Sequence, residues 1–246
     1  MYNPFSLEGK TILVTGASSG IGQTTAIECS KLGAKLVITA RNEERLKATL
    51  DQLEGDWHQM ILADLSNEDE IKALVEQCPC VDGLVNNAGV AVNKPITFYS
   101  MKDIEFVYNA NVYAPMLLNR WLLKKKKLNN GGSIVFTSSI AAFSSHLGNG
   151  IYGTSKSALT SYMKYCAKEL APRGIRANTV HPGMVETKLI HGGSISEEEL
   201  NEDLKNYPLG RHGKPEEIAW QIAFLLSDAS KWTTGTCVVV DGGCTL

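Results

Sequence analysis

The chain has 246 residues, 43% hydrophobic and 20% charged, with a formal net charge of -2 at pH 7. That length could be one large α/β domain or two small ones, and the near-neutral balance excludes the broad basic footprint of a nucleic-acid-binding protein. No apolar run approaches the roughly eighteen residues that span a bilayer, and the opening MYNPFSLEGK lacks the basic and apolar regions of a signal peptide, so no membrane partner and a cytoplasmic location are expected.

Short apolar or β-branched runs at 11–14, 36–39, 59–62, 83–85, 133–137, 175–180 and 236–240 read as seven strands. Helix-like stretches near 21–32, 43–53, 67–77, 100–127, 152–170 and 215–227 fall between them. Alternation of this kind predicts right-handed crossovers and therefore an α/β fold, a doubly wound parallel sheet with helices on both faces. No linker, low-complexity tract or repeat divides the chain, which reads as one domain over 1–246. The segment 186–213 breaks the rhythm with Gly192-Gly193, an acidic run and Pro208, and is expected to form a lid over a substrate. The cysteines are Cys29, Cys78, Cys80, Cys166, Cys237 and Cys244; only Cys78 and Cys80 are close, and no second pair or nearby histidine completes a zinc spacing. Reduced thiols and no metal are expected.

TGASSGIG, residues 15–22, runs from the first strand into a helix. Glycines there let the backbone turn tightly and approach a pyrophosphate, whose charge is favoured by the helix N-terminus. Gly16, Ser18, Ser19, Gly20, Ile21 and Gly22 are the expected cradle. The second strand ends in Ala40-Arg41, without the carboxylate that would accept from a ribose 2′-hydroxyl. Nothing there repels a 2′-phosphate, and the Arg41 guanidinium can bind one, so NADP (as NADPH) is expected rather than NAD.

TGASSGIG at 15–22, Asp64-Leu65, NNAG at 86–89, Asn111, Ser139, YGTSK at 152–156, PGMVET at 182–187 and VDGG at 240–243 follow one another in an order that resembles the short-chain dehydrogenase/reductase family in its short, single-domain form. The likeness covers about 10–243 and is most similar to bacterial 3-oxoacyl-ACP reductases and their relatives of other specificity. It implies a Rossmann-like fold and an NADP-dependent oxidoreductase. It also implies that Asp64 and Leu65 frame the adenine, that Asn86 lies along the cofactor, and that Val185 and Thr187 hold the nicotinamide carboxamide. Ser19 stands where many NADP-preferring relatives carry a basic residue, which leaves Arg41 as the main anchor.

Tyr152 and Lys156 are one helical turn apart, so both side chains project from one face. A free tyrosine titrates near ~10. A neighbouring ammonium and a cationic nicotinamide stabilise its phenolate and bring it closer to neutrality. In the resemblance these two are the catalytic acid and its tuning cation, and both contact the cofactor. Ser139, thirteen residues before Tyr152, is the donor that holds the substrate oxygen; Ser138 competes on residue type, but the spacing favours Ser139. Asn111 resembles the residue that links Lys156 to bulk water. A non-catalytic cofactor-binding module would be expected to lack one of these four, and all four are present. The substrate is expected to be a small carbonyl compound or acyl thioester, and LKKKKLNN at 123–130 with Arg173 could receive an acyl carrier protein. A hydroxysteroid, sugar or small alcohol stays open, and the resemblance implies a homotetramer.

Overall fold

Ile12 and Val14 point to one side of the first strand and Leu13 to the other, and all three are fully buried. A strand that is apolar on both faces belongs in the middle of a sheet covered on both sides. The computed structural model describes residues 2–187 and 197–246, and within them lies such a sheet. Its strands are β1 (Thr11–Thr15), β2 (Lys35–Ala40), β3 (Gln59–Leu62), β4 (Val81–Asn86), β5 (Leu128–Thr137), β6 (Arg176–Pro182) and β7 (Cys237–Val240). All pair in parallel, in the order β3-β2-β1-β4-β5-β6-β7. The expected doubly wound fold is therefore what forms.

Helices α1 (Gly20–Lys31) and α2 (Glu43–Leu50) cover the face that carries Ile12 and Val14, together with α8 (Pro215–Leu226). Helices α3 (Glu68–Gln77), α5 (Ala114–Lys124) and α6 (Gly150–Leu170) cover the face of Leu13, Val37 and Phe136. Starts are marked as the side chains dictate: Asn42 caps α2 and Asn67 caps α3, while Ser100 and Asp103 close a reciprocal capping box on α4 (Met101–Tyr108). Among the described residues no helix is long and apolar enough to cross a membrane.

One expectation needs correction. The helix expected over 100–127 is broken: α4 ends at Tyr108, a π-turn spans Asn109–Tyr113, and α5 then runs to Lys124. Asn111 lies in that turn, and its side chain bonds the backbone of Val90. The lysine run does not continue the helix either, because Lys126 turns to a φ of 54° and Lys127 donates to the Cys78 carbonyl oxygen at 2.6 Å. Of the expected lid at 186–213, residues 188–196 lie outside the described residues, and α7 (Glu197–Leu204) follows them.

The strand order reverses between β1 and β4, so the chain leaves these two neighbours in opposite directions and opens a crevice at their carboxyl ends. TGASSGIG follows β1, NNAG begins on the last residue of β4, and Ser138-Ser139 follow β5 beside it.

Candidate active site

The loop after β1 is shaped by contacts a side chain would destroy. Gly16 has a φ of 65°, and a Cβ there would lie 2.9 Å from the Ala88 Cα. A Cβ at Gly22 would collide with the Asn87 amide and the Gly16 carbonyl oxygen. Thr15 ties the two loops together: its hydroxyl donates to the Val85 carbonyl oxygen at 3.1 Å and accepts from the Asn87 and Ala88 N–H groups at 2.9 and 3.1 Å. Ser19 is the N-cap of α1 but makes no side-chain cap, and the first turn carries no acidic residue. The opening N–H groups of a twelve-residue helix thus face the crevice with no acidic side chain in the helix's own first turn. That cradle fits a dinucleotide pyrophosphate.

The remaining expected cofactor residues are distributed as follows. Arg41, largely exposed, has its guanidinium 3.9 Å from the Asp64 carboxylate, so the two share the rim beyond β2 and β3. Asp64 also accepts from the backbone and hydroxyl of Ser66, which together with Arg41 hold it below the usual carboxylate range despite partial burial. Leu65 gives its side chain to the core. Asn86 does the same, donating to Asn119 at 3.2 Å, and Asn87 is the asparagine whose side chain reaches the β1 loop, at 3.1 Å from the Thr15 carbonyl oxygen. A Cβ at Gly20 would meet the Thr187 side chain at 3.4 Å, which places 183–187 across the crevice from the glycine loop. Val185 is buried there and bridges Gly213. Ser18 and Ile21 are half-buried in the loop, with Ile21 packed on the core.

Tyr152, Lys156, Ser139 and Asn111 come together at the open end of β4 and β5. Gly153, between the first two, packs α6 on the turn at Ile140–Ala142; a Cβ there would be 2.7 Å from the Ala141 carbonyl oxygen. Lys156 is buried, donates to the Thr137 carbonyl oxygen at 2.8 Å and has its nitrogen 5.5 Å from the centre of the Tyr152 ring. Burial lowers its pKa to about 8. Burial raises the Tyr152 pKa, and the neighbouring Ser139 hydroxyl partly offsets that. Ser138 is excluded as the oxygen-holding donor, because its hydroxyl is engaged with Thr160 at 3.0 Å and with the Lys156 carbonyl oxygen at 3.2 Å. Ser139 is half-buried, and its oxygen accepts from the Ala141 N–H at 3.1 Å, so its proton remains free to donate.

Asn111 is buried with its amide fully engaged: the oxygen accepts from the Val90 N–H at 2.8 Å, and the nitrogen donates to the Val90 carbonyl oxygen at 2.9 Å and to Ser155 at 3.0 Å. Gly89 lies against both Asn111 and Lys156, at 3.1 and 3.4 Å from its would-be Cβ. Sequence reasoning missed Thr15, Asn87 and His181. The first two sit inside motifs already singled out; a lone histidine in a strand carries no such signal.

The geometry has counterparts. A family model described as "Enoyl-(Acyl carrier protein) reductase" matches residues 16–245. The chain is 36% identical over 245 residues to a 3-oxoacyl-acyl-carrier-protein reductase of Aquifex aeolicus, covering 96% of this chain and 98% of that protein. It is 35% identical over 254 residues to a tropinone reductase homolog of Arabidopsis thaliana, covering 98% and 94%. A crystal structure of a short-chain type dehydrogenase/reductase from Mycobacterium marinum superimposes with a TM-score of 0.89 at 30% identity, covering 98% of each chain.

Proposed function

The chain belongs to the short-chain dehydrogenase/reductase family of oxidoreductases, and from that premise we propose that, as one catalytic domain spanning 1–246, it reduces a ketone or 3-oxoacyl thioester to the secondary alcohol with NADPH. The single observation that carries this reading is the convergence of two hydroxyl donors, Ser139 and Tyr152, beside a buried lysine whose nitrogen lies 5.5 Å from the centre of the Tyr152 ring. Two converging donors stabilise one developing oxyanion, which is the charge that carbonyl reduction creates.

When bound, the dinucleotide supplies the hydride. The N-terminus of α1 with Gly16, Ser18, Ser19, Gly20, Ile21 and Gly22 would hold its pyrophosphate, Arg41 its 2′-phosphate, and Val185 and Thr187 its carboxamide. Ser139 donates to the carbonyl oxygen and fixes its direction. Tyr152, kept neutral by burial, has its proton available as the oxygen becomes alkoxide, a far stronger base than phenolate. Lys156, with a pKa brought to about 8, can hold near neutrality the proton that replaces the one Tyr152 gives up, and Asn111 builds the turn beside it. Asn111 acts through that turn, because both ends of its amide are already bonded.

The preferred substrate is an acyl thioester, by similarity to the reductase of Aquifex aeolicus. Exposed Lys124, Lys125 and Lys126 beside Arg173 suit an acidic carrier protein. The likeness to a tropinone reductase homolog favours a small cyclic ketone as the second reading. The test is NADPH consumption with acetoacetyl and crotonyl thioesters, a steroid ketone, a sugar and a cyclic ketone. Turnover of the acetoacetyl thioester is expected; turnover of the crotonyl thioester alone would replace carbonyl by enoyl reduction.

A further inference from the structure

His181, the penultimate residue of β6, is fully buried and takes no part in the chemistry above. Its Nδ1 lies 2.9 Å from the Ser139 carbonyl oxygen and its Nε2 lies 2.8 Å from the Thr179 hydroxyl, two residues back on the same face of the strand. A carbonyl oxygen can only accept, so Nδ1 carries the proton and, in the neutral ring, Nε2 accepts from Thr179. Burial pushes the pKa of the ring down, more than the Ser139 contact raises it, and the Lys156 cation adds a smaller push in the same direction as burial, which favours the neutral ring. The tautomer is therefore fixed by its two partners.

The β5–β6 ladder ends with the Ser138 N–H on the Val180 carbonyl oxygen at 2.8 Å, and Pro182, opposite the Ser138 carbonyl oxygen, has no N–H to continue it. Ser139 lies past that last bond, and its carbonyl oxygen accepts from two donors, the Ala142 N–H of the following turn at 3.0 Å and the His181 imidazole at 2.9 Å. Phe143 lies over the ring, centroids 5.2 Å apart, and covers it from the crevice side. Both polar groups of Ser139 are held: its hydroxyl oxygen by the Ala141 N–H, its carbonyl by the Ala142 N–H and by His181.

We propose that His181 is a positioning residue that sets the direction of the Ser139 hydroxyl by anchoring the Ser139 peptide. The proposal rests on the carbonyl-reduction reading, in which that hydroxyl holds the substrate oxygen. It turns on one donor at the Nδ1 position, and this separates two near-isosteric substitutions. The amide nitrogen of Asn reaches the place of Nδ1, whereas that of Gln reaches the place of Nε2 and meets Thr179 instead.

The experiment compares wild type, His181→Asn, His181→Gln, His181→Leu and Tyr152→Phe on whichever carbonyl of the panel the wild type reduces, reading kcat, KM and NADPH Kd. His181→Gln and His181→Leu are expected to lose about ten- to a hundredfold in kcat, with NADPH Kd within about threefold and His181→Asn near wild type. Equal kcat in Asn and Gln variants, or a loss confined to NADPH affinity, overturns the proposal. Should His181→Leu not fold, the Asn and Gln pair decides alone. Activity retained in Tyr152→Phe would instead overturn the reaction assignment, a result independent of the His181 series.

Discussion

Lys156 gives its ammonium to the Thr137 carbonyl oxygen at 2.8 Å, so the cation beside Tyr152 is anchored to the end of β5 rather than to the phenol. That anchorage places a charge in the interior, and a buried charge has a signature in stability. Burial takes Lys156 from 10.5 to about 8. Between those values the unfolded chain holds a proton that the folded chain has released, so stability rises with pH across that window and the full penalty is present below it. The whole shift corresponds to about 3 kcal/mol. Urea unfolding of wild type and Lys156→Met, from about pH 7.5 to pH 10, should show wild type gaining on the variant by about 2–3 kcal/mol. A difference that stays flat with pH would mean the ammonium is not desolvated.

Gly22 tests the cradle. It sits in the first turn of α1, where alanine is favoured over glycine by about 1 kcal/mol on helix propensity. A Cβ there meets the Asn87 side chain and the Gly16 backbone, and such overpacking typically costs about 1–3 kcal/mol. Gly22→Ala should therefore be less stable than wild type and bind NADPH at least about tenfold more weakly. A variant that melts higher with unchanged affinity would show that the loop has slack.

Cofactor choice turns on Arg41. Its guanidinium is already within 3.9 Å of Asp64, and no second basic residue stands at Ser19. Roughly 2 kcal/mol of preference for NADPH over NADH, or about thirtyfold in kcat/KM, is expected from one exposed bidentate contact. Arg41→Ala combined with Ala40→Asp should invert it, by removing an attraction and adding a repulsion. A wild type that prefers NADH would show that Arg41 serves Asp64 and not a phosphate.

Assembly is the fourth expectation. Phe106, Tyr113 and Tyr165 expose large apolar surface on the α4–α6 side, as Trp220 and Val239 do on α8 and β7. Two such faces suit a homotetramer with two-fold axes. Sedimentation equilibrium at micromolar concentration should give four times the chain mass; a monomer would contradict this.

The sheet was legible in the sequence because strands buried on both faces are continuous apolar runs, and β1, with Ile12, Leu13 and Val14, is the plainest case. The glycine loop and YGTSK were legible because their spacing is dictated by local geometry. What escaped depends on contacts between distant segments. The π-turn carries Asn111, whose amide bonds Val90, twenty-one residues away, whereas the choice of Ser139 over Ser138 was legible from the spacing to Tyr152 and agrees with Thr160 occupying the Ser138 hydroxyl. The pairing of the Asn86 side chain with Asn119 in the core is another such contact between distant segments.

The central claim is that Tyr152 is the proton donor, and Tyr152→Phe tests it most directly because only the hydroxyl is removed. The measurement is kcat for the carbonyl substrate alongside NADPH Kd, in wild type and variant. The account predicts that kcat falls by about 10²- to 10⁴-fold while Kd stays within about threefold. A variant that keeps kcat within about threefold of wild type would contradict it.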